Sequence, residues 1–120
     1  MTAERRTSVV SAVSSRTRTV TESLGLSQEE VAEIVGTSSR TISRWWSGET
    51  TPQPPKQKRL REVAYVAEEI SKVLEADEAR EWLFTPNRQL GHDSPAEKIA
   101  KGEYRAVLAL IEALADGVVA

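Results

Sequence analysis

The stretch Ser27-Gln28-Glu29-Glu30-Val31-Ala32-Glu33-Ile34-Val35-Gly36, continued by Thr37-Ser38-Ser39-Arg40-Thr41-Ile42-Ser43-Arg44-Trp45-Trp46-Ser47-Gly48, decides the fold. Ser27 and Glu30 have the spacing of a capping box, in which the hydroxyl accepts from the N3 amide and the carboxylate reaches back to the N-cap amide. Val31, Ile34 and Val35 then share one helical face, with Ala32 beside it, and Gly36 closes the helix. Thr37-Ser38-Ser39 supplies hydroxyls to cap a second helix, in which Ile42 and Trp45 recur at helical spacing until Gly48 stops it. Helix, short turn, helix is the order in which the first helix braces the second for entry into a major groove.

The side chains left outward on the second helix suit that task. Ser38, Ser39, Arg40, Thr41, Ser43 and Arg44 form the candidate DNA-binding set. Arginine can bond guanine O6 and N7 bidentately, and short hydroxyl side chains near a helix N-terminus suit phosphates. Lys56, Lys58, Arg59 and Arg61 are expected to add backbone contacts. Trp46 is not accounted for by this spacing and reads as core or dimer surface.

Working outward, Thr7 to Ser23 holds nine Ser or Thr in seventeen residues. Their hydroxyls compete for backbone groups and disfavour helix. Val13, Thr17, Val20 and Leu24 nevertheless make one helical stripe. The expectation is a flexible segment over 1–11, then a first helix from about residue 12 to Leu24. Downstream, Pro52, Pro54 and Pro55 predict a stiff extended linker. Leu60, Val63, Ala64, Ala67, Ile70 and Leu74 stripe a long helix beginning near Lys56. No segment alternates at period two, so the fold class is all-α: a helix-turn-helix bundle over 12–74, followed by a small helical module over 75–120.

That last module begins with a short helix, Asp77 to Phe84, carrying Trp82, Leu83 and Phe84. Thr85-Pro86-Asn87 and Gly91-His92-Asp93 are turn chemistry. Ser94-Pro95-Ala96-Glu97 is a second capping box with proline at N1. Past Gly102 a final helix turns Tyr104, Val107, Leu108, Ile111 and Leu114 inward and ends at Gly117, leaving Val118-Val119-Ala120. So few large apolar side chains in about 46 residues predict packing on the long helix or on a partner.

Charge divides along the same line. Gly36 to Arg61 holds six Lys or Arg against one acid, for +5, whereas Glu75 to Ala120 holds five against nine, for −4. The chain total of −2 therefore conceals a basic middle and an acidic end, two surfaces for two kinds of partner. The sequence lacks cysteine, a secretory signal and a membrane-length apolar run, so a cytoplasmic protein is expected. His92 is its single histidine and sits in turn sequence. The adjacent acids Glu29-Glu30 and Glu68-Glu69 diverge on a helix, and no glycine-rich phosphate loop is present. Catalytic residues, metal and cofactors are accordingly none.

In residue type as well as spacing, Ser27 to Gly36 with Thr41 to Trp45 and Ser47-Gly48 resembles the Xre/Cro-repressor helix-turn-helix. Trp82 to Leu90, Pro95-Ala96-Glu97, Gly102-Glu103-Tyr104-Arg105 and Val107 to Ile111 resemble the toxin-binding module of the Xre-MbcA-ParS antitoxins. The likeness is closest to the mycobacterial members, in Glu62 to Ala67 and Gly102-Glu103-Tyr104. His92 departs from the family, which often places glycine there. The resemblance implies an antitoxin that binds and inhibits a RES-domain, NAD-consuming toxin encoded by an adjacent gene, with C-terminal residues obstructing the NAD pocket. It implies toxin contacts from Trp82, Asn87, Tyr104, Arg105, Ile111, Leu114, Gly117, Val118, Val119 and Ala120. Operator DNA is the second expected partner, and a homodimer within a larger hetero-oligomer the expected assembly. The competing reading is a stand-alone helix-turn-helix repressor whose C-terminal third dimerises or senses a ligand.

Overall fold

The computed structural model describes residues 3–117, with side chains from residue 11 onward. Within them the chain is helical throughout: α1 (Ala3–Leu24), α2 (Gln28–Val35), α3 (Ser39–Ser47), α4 (Pro54–Ser71), α5 (Ala76–Phe84), a 3₁₀ turn (Arg88–Leu90), α6 (Pro95–Ala100) and α7 (Tyr104–Ala115).

Helix α1 starts at Ala3, well before the start near residue 12 expected from the sequence. Three of the hydroxyls that argued against helix are absorbed within it. Thr17 Oγ1 donates to Val13 O at 2.8 Å, Thr19 Oγ1 to Ser15 O and Thr21 Oγ1 to Thr17 O, both at 2.9 Å. Back-bonding to the preceding turn satisfies each hydroxyl without breaking the helix. Thr17 and Thr21 can therefore be buried beside Val13, Val20 and Leu24.

Both capping boxes form as the spacing predicts. Ser27 Oγ accepts from Glu30 N at 3.1 Å while Glu30 Oε1 accepts from Ser27 N at 2.9 Å, and Ser94 with Glu97 repeats the pair. At the turn between α2 and α3, Gly36 has φ 84° and its N–H donates to Ala32 O at 2.8 Å. That left-handed conformation is disfavoured for residues with a Cβ. A Cβ there would also come within 3.0 Å of Lys56 Nζ.

The proline-rich linker is shorter than expected. Pro54 and Pro55 occupy the first turn of α4, where a missing N–H leaves no intrahelical bond unmade. The extended stretch is confined to residues 50–53. Lys56 donates to Gly36 O and Val35 O at the end of α2, and Arg59 donates to Ile99 O at the end of α6. Two of the four basic residues expected on DNA thus bond backbone carbonyls of other helices; Lys58 and Arg61 are exposed.

Helix α4 packs against α1 and α2 as well as α5, α6 and α7, and α1 also touches α5. One hydrophobic cluster runs from Val13 through Ile42, Trp45, Leu60, Val63 and Ile70 to Leu83, Ile99, Val107 and Ile111. The C-terminal helices pack on the long helix, one of the two supports their composition demanded, and α6 also packs on α2. The core is continuous across residues 74 and 75. Leu110, which the inward stripe of α7 omits, is buried as well.

Candidate nucleic-acid and partner interfaces

Helix α3 presents two opposite faces because Ile42 and Trp45, 0% and 3% exposed, anchor one of them to the core. The other borders an open cleft lined by Gln28, Ser39, Arg40, Ser43, Arg44 and Glu49. Four of the six expected DNA-reading side chains are thereby brought together. Ser38 and Thr41 are engaged locally: Ser38 Oγ accepts from Thr41 N at 3.2 Å and lies 3.0 Å from Thr41 Oγ1. They set the entry of the helix and its orphan amides rather than reaching into the cleft.

Gln28 and Glu49 were not identified from sequence. Gln28 reads as the first residue of a bracing helix, and Glu49 as a post-helix residue. Only the tertiary packing of α2 beside α3 reveals that they flank the arginines. Gln28 can donate to a phosphate or bond an adenine edge, and a carboxylate can accept from cytosine N4.

Trp46 points away from this cleft. Its carbonyl accepts from Ser14 Oγ at 2.6 Å, and the Arg18 guanidinium lies 5.5 Å from its ring centroid. The second tryptophan therefore braces α3 against α1, half-buried under a cation–π contact.

The C-terminal candidates divide by burial. Ile111, 4% exposed, belongs to the core, so its side chain holds α7 in place and offers little open surface. Tyr104 and Leu114 are half-buried against the same core, while Arg105 on the first turn of α7 is exposed. Asn87 shapes the loop: its Oδ1 accepts from Gln89 N at 2.9 Å, its N–H donates to Asp93 O at 3.0 Å, and its carbonyl accepts from Leu90 and His92. Trp82 is half-buried beside the core, and its indole N–H is buried without an acceptor among the described residues. Gly117 is exposed at φ 80°, whereas Val118, Val119 and Ala120 lie outside the described residues.

His92 stands where the backbone conformation suits glycine. Among the described residues it is the one non-glycine residue with positive φ, at 71°. Next to it, Asp93 Oδ2 accepts from Lys101 Nζ at 2.6 Å and lies 3.7 Å from Lys98 Nζ. The Lys101 hydrogen bond holds the Asp93 carboxyl below its ordinary pKa and raises that of Lys101. Among the described residues no group of three acids or histidines could hold a metal ion, and no helix is long and apolar enough to cross a membrane.

Two family matches cover these surfaces: a helix-turn-helix over residues 19–63 and the antitoxin Xre/MbcA/ParS C-terminal toxin-binding domain over residues 71–117. The mycobacterial cidal antitoxin MbcA of Mycobacterium tuberculosis is 50% identical over 97 residues, 81% of this chain and 86% of that protein. Its counterpart in Mycobacterium bovis gives the same values. A chain in the crystal structure of the M. tuberculosis MbcT-MbcA toxin-antitoxin complex superimposes with a TM-score of 0.81 at 46% identity, covering 89% of this chain and 96% of that one. A helix-turn-helix match, a toxin-binding-domain match and identity at this level over most of both chains leave one assignment: this chain belongs to the Xre/MbcA/ParS family of antitoxins.

Proposed function

We propose that this antitoxin neutralises a RES-domain, NAD-consuming toxin encoded beside it by obstructing the toxin's NAD pocket, and that it represses its own operon by binding operator DNA. The observation that carries the reading is the union, on one uninterrupted core, of an arginine-bearing recognition cleft with a toxin-binding domain of the MbcA type. MbcA itself is found in complex with the toxin MbcT.

The residues assign the labour. Arg40 and Arg44, with Ser39 and Ser43, read operator DNA in the cytoplasm as part of a homodimer, whose two recognition helices meet half-sites about one helical turn apart. The acidic C-terminal module presents Arg105, Leu114 and the segment from Gly117 to Ala120 to the toxin. A negatively charged module suits a cationic cleft built for a dinucleotide. Trp82, Asn87, Tyr104 and Ile111 support that surface from beneath.

Cellular NAD⁺ measured while the adjacent gene is expressed, with and without this chain, tests the proposal. NAD⁺ should collapse with the neighbour alone and recover on co-expression. A chain lacking residues 117–120 should retain DNA binding but restore NAD⁺ less completely. If NAD⁺ never moves, the stand-alone repressor reading replaces this one, and selection of a DNA site becomes the informative experiment.

A further inference from the structure

The seam between α4 and α7 leaves a groove that the core does not fill. Tyr65, Glu69, Lys72 and Val73 form one wall, and Leu108, Ile111, Glu112 and Ala115 the other. Tyr65, 48% exposed, is the exposed large apolar side chain among the described residues. The groove holds about 150 Å³, roughly the space that takes up a benzene-sized ring.

We infer that this groove is a docking site for the toxin, which seats an apolar or aromatic side chain against Tyr65, Val73 and Leu108 and places a basic residue beside Glu112. The inference deepens the proposed function and rests on it. Three observations select the toxin as occupant. Most of the lining falls within residues 71–117, the toxin-binding domain. The groove ends at Ala115, two residues in sequence before Gly117, where the segment proposed to enter the toxin's pocket begins. Its rim carries an excess negative charge, because Lys72 is engaged by Glu69 at 3.1 Å and Glu112 stands across from that pair. A second copy of this chain would bring the same acidic rim against itself across a twofold axis, whereas a basic partner complements it. An amphipathic tyrosine over an apolar floor with a charged rim is also the anatomy of an interface hot spot.

The test compares full-length wild type with Tyr65→Glu, the milder Tyr65→Ser, Glu112→Lys and a chain ending at residue 116. Affinity for the purified toxin encoded by the adjacent gene is read by calorimetry, and the solution mass of each antitoxin is measured alone. Tyr65→Glu should weaken toxin binding at least tenfold, and Tyr65→Ser severalfold, with unchanged helix content and DNA affinity. Glu112→Lys should slow association and flatten its salt dependence. The truncated chain should lose inhibition more than affinity, which separates pocket obstruction from docking. Wild-type toxin affinity in Tyr65→Glu would overturn the inference. So would a Tyr65→Glu chain that loses self-association while holding toxin normally, which would assign the groove to a second copy. If the wild-type chain binds no toxin, the proposed function fails and the groove assignment with it.

Discussion

Arg80 Nη2 donates to Glu30 Oε2 at 2.6 Å, tying α5 to the first turn of α2 across 50 residues of sequence. The other oxygen of the same carboxylate closes the Ser27 capping box. One side chain thus caps the start of α2, which braces α3, and anchors the toxin-binding domain to it. Arg80 is half exposed and Glu30 less so, and an ion pair of that kind contributes about 0–1 kcal/mol. Arg80→Ala should therefore lower thermal stability slightly, whereas Glu30→Ala, which also removes the box, should cost about 1–2 kcal/mol. A double-mutant cycle followed by thermal unfolding separates the two. Equal losses from the two single substitutions would mean that the cap contributes nothing.

That junction shows why part of the molecule was legible in sequence and part was not. Local rules carry their own evidence: Ser27 with Glu30 and Ser94 with Glu97 sit at the capping spacing, and Gly36 and Gly48 stop their helices. What local rules left out depended on distant partners. Lys56 and Arg59 look like DNA contacts until Val35, Gly36 and Ile99 are folded beside them. Ile111 reads equally well as core or interface, because α7 is apolar on more than half its circumference. The late start expected for α1 rested on hydroxyl composition, whereas the helix begins at Ala3.

Arg59 makes a second, more buried junction. It bonds Ile99 O at the C-terminal end of α6 and lies 3.6 Å from Glu62, which is 8% exposed. Removing one member of such a pair strands the other in a poorly solvated position. Arg59→Ala should destabilise by about 2–4 kcal/mol, and Arg59→Met with Glu62→Leu should recover most of that loss. Urea unfolding of the single and double variants checks it; a double variant no better than the single would refute the stranded-carboxylate account.

His92 occupies a conformation that glycine adopts at no steric cost. Its strain is of the order of 1 kcal/mol, offset in part by the greater entropy that glycine loses on folding. His92→Gly should be neutral to about 1 kcal/mol stabilising, and His92→Val clearly destabilising, since a β-branched residue tolerates positive φ poorly. The midpoint of thermal unfolding distinguishes them. A destabilised glycine variant would show that the imidazole makes a contribution the backbone argument omits.

The Asp93–Lys101 contact gives the α6 end of the molecule a defined pH response. With the Asp93 pKa depressed by that hydrogen bond, its stabilisation is complete above the unfolded carboxylate value near 4. It fades as pH falls through the lower folded value. With Lys101 raised, its share is complete below about 10.4 and is lost as pH climbs through the higher folded value. Asp93→Asn should therefore flatten the acid limb of the stability profile and leave its shape between pH 6 and 8 unchanged. Carboxyl chemical shifts followed by NMR would locate the titration. An Asp93 midpoint at or above the ordinary value would contradict the contact.

The recognition cleft makes the last prediction, because its arginines and its acid should fail in different ways. On the proposed function, Arg44 and Arg40 supply both charge and base contacts. Replacing both with alanine should abolish preference for operator over random DNA and reduce the slope of log K against log salt by about 1–2. Toxin binding should survive, since the α4–α7 groove lies on different helices. Glu49 adds no attraction for phosphate, so Glu49→Gln should strengthen binding to random DNA. Specificity should fall all the same if the carboxylate accepts from a cytosine or orients a neighbouring arginine. Site selection with wild type and both variants reads the two effects on one assay. Unchanged site preference in Glu49→Gln would reduce that residue to a bystander at the cleft's edge, while unchanged preference in the double arginine variant would remove α3 as the reading helix.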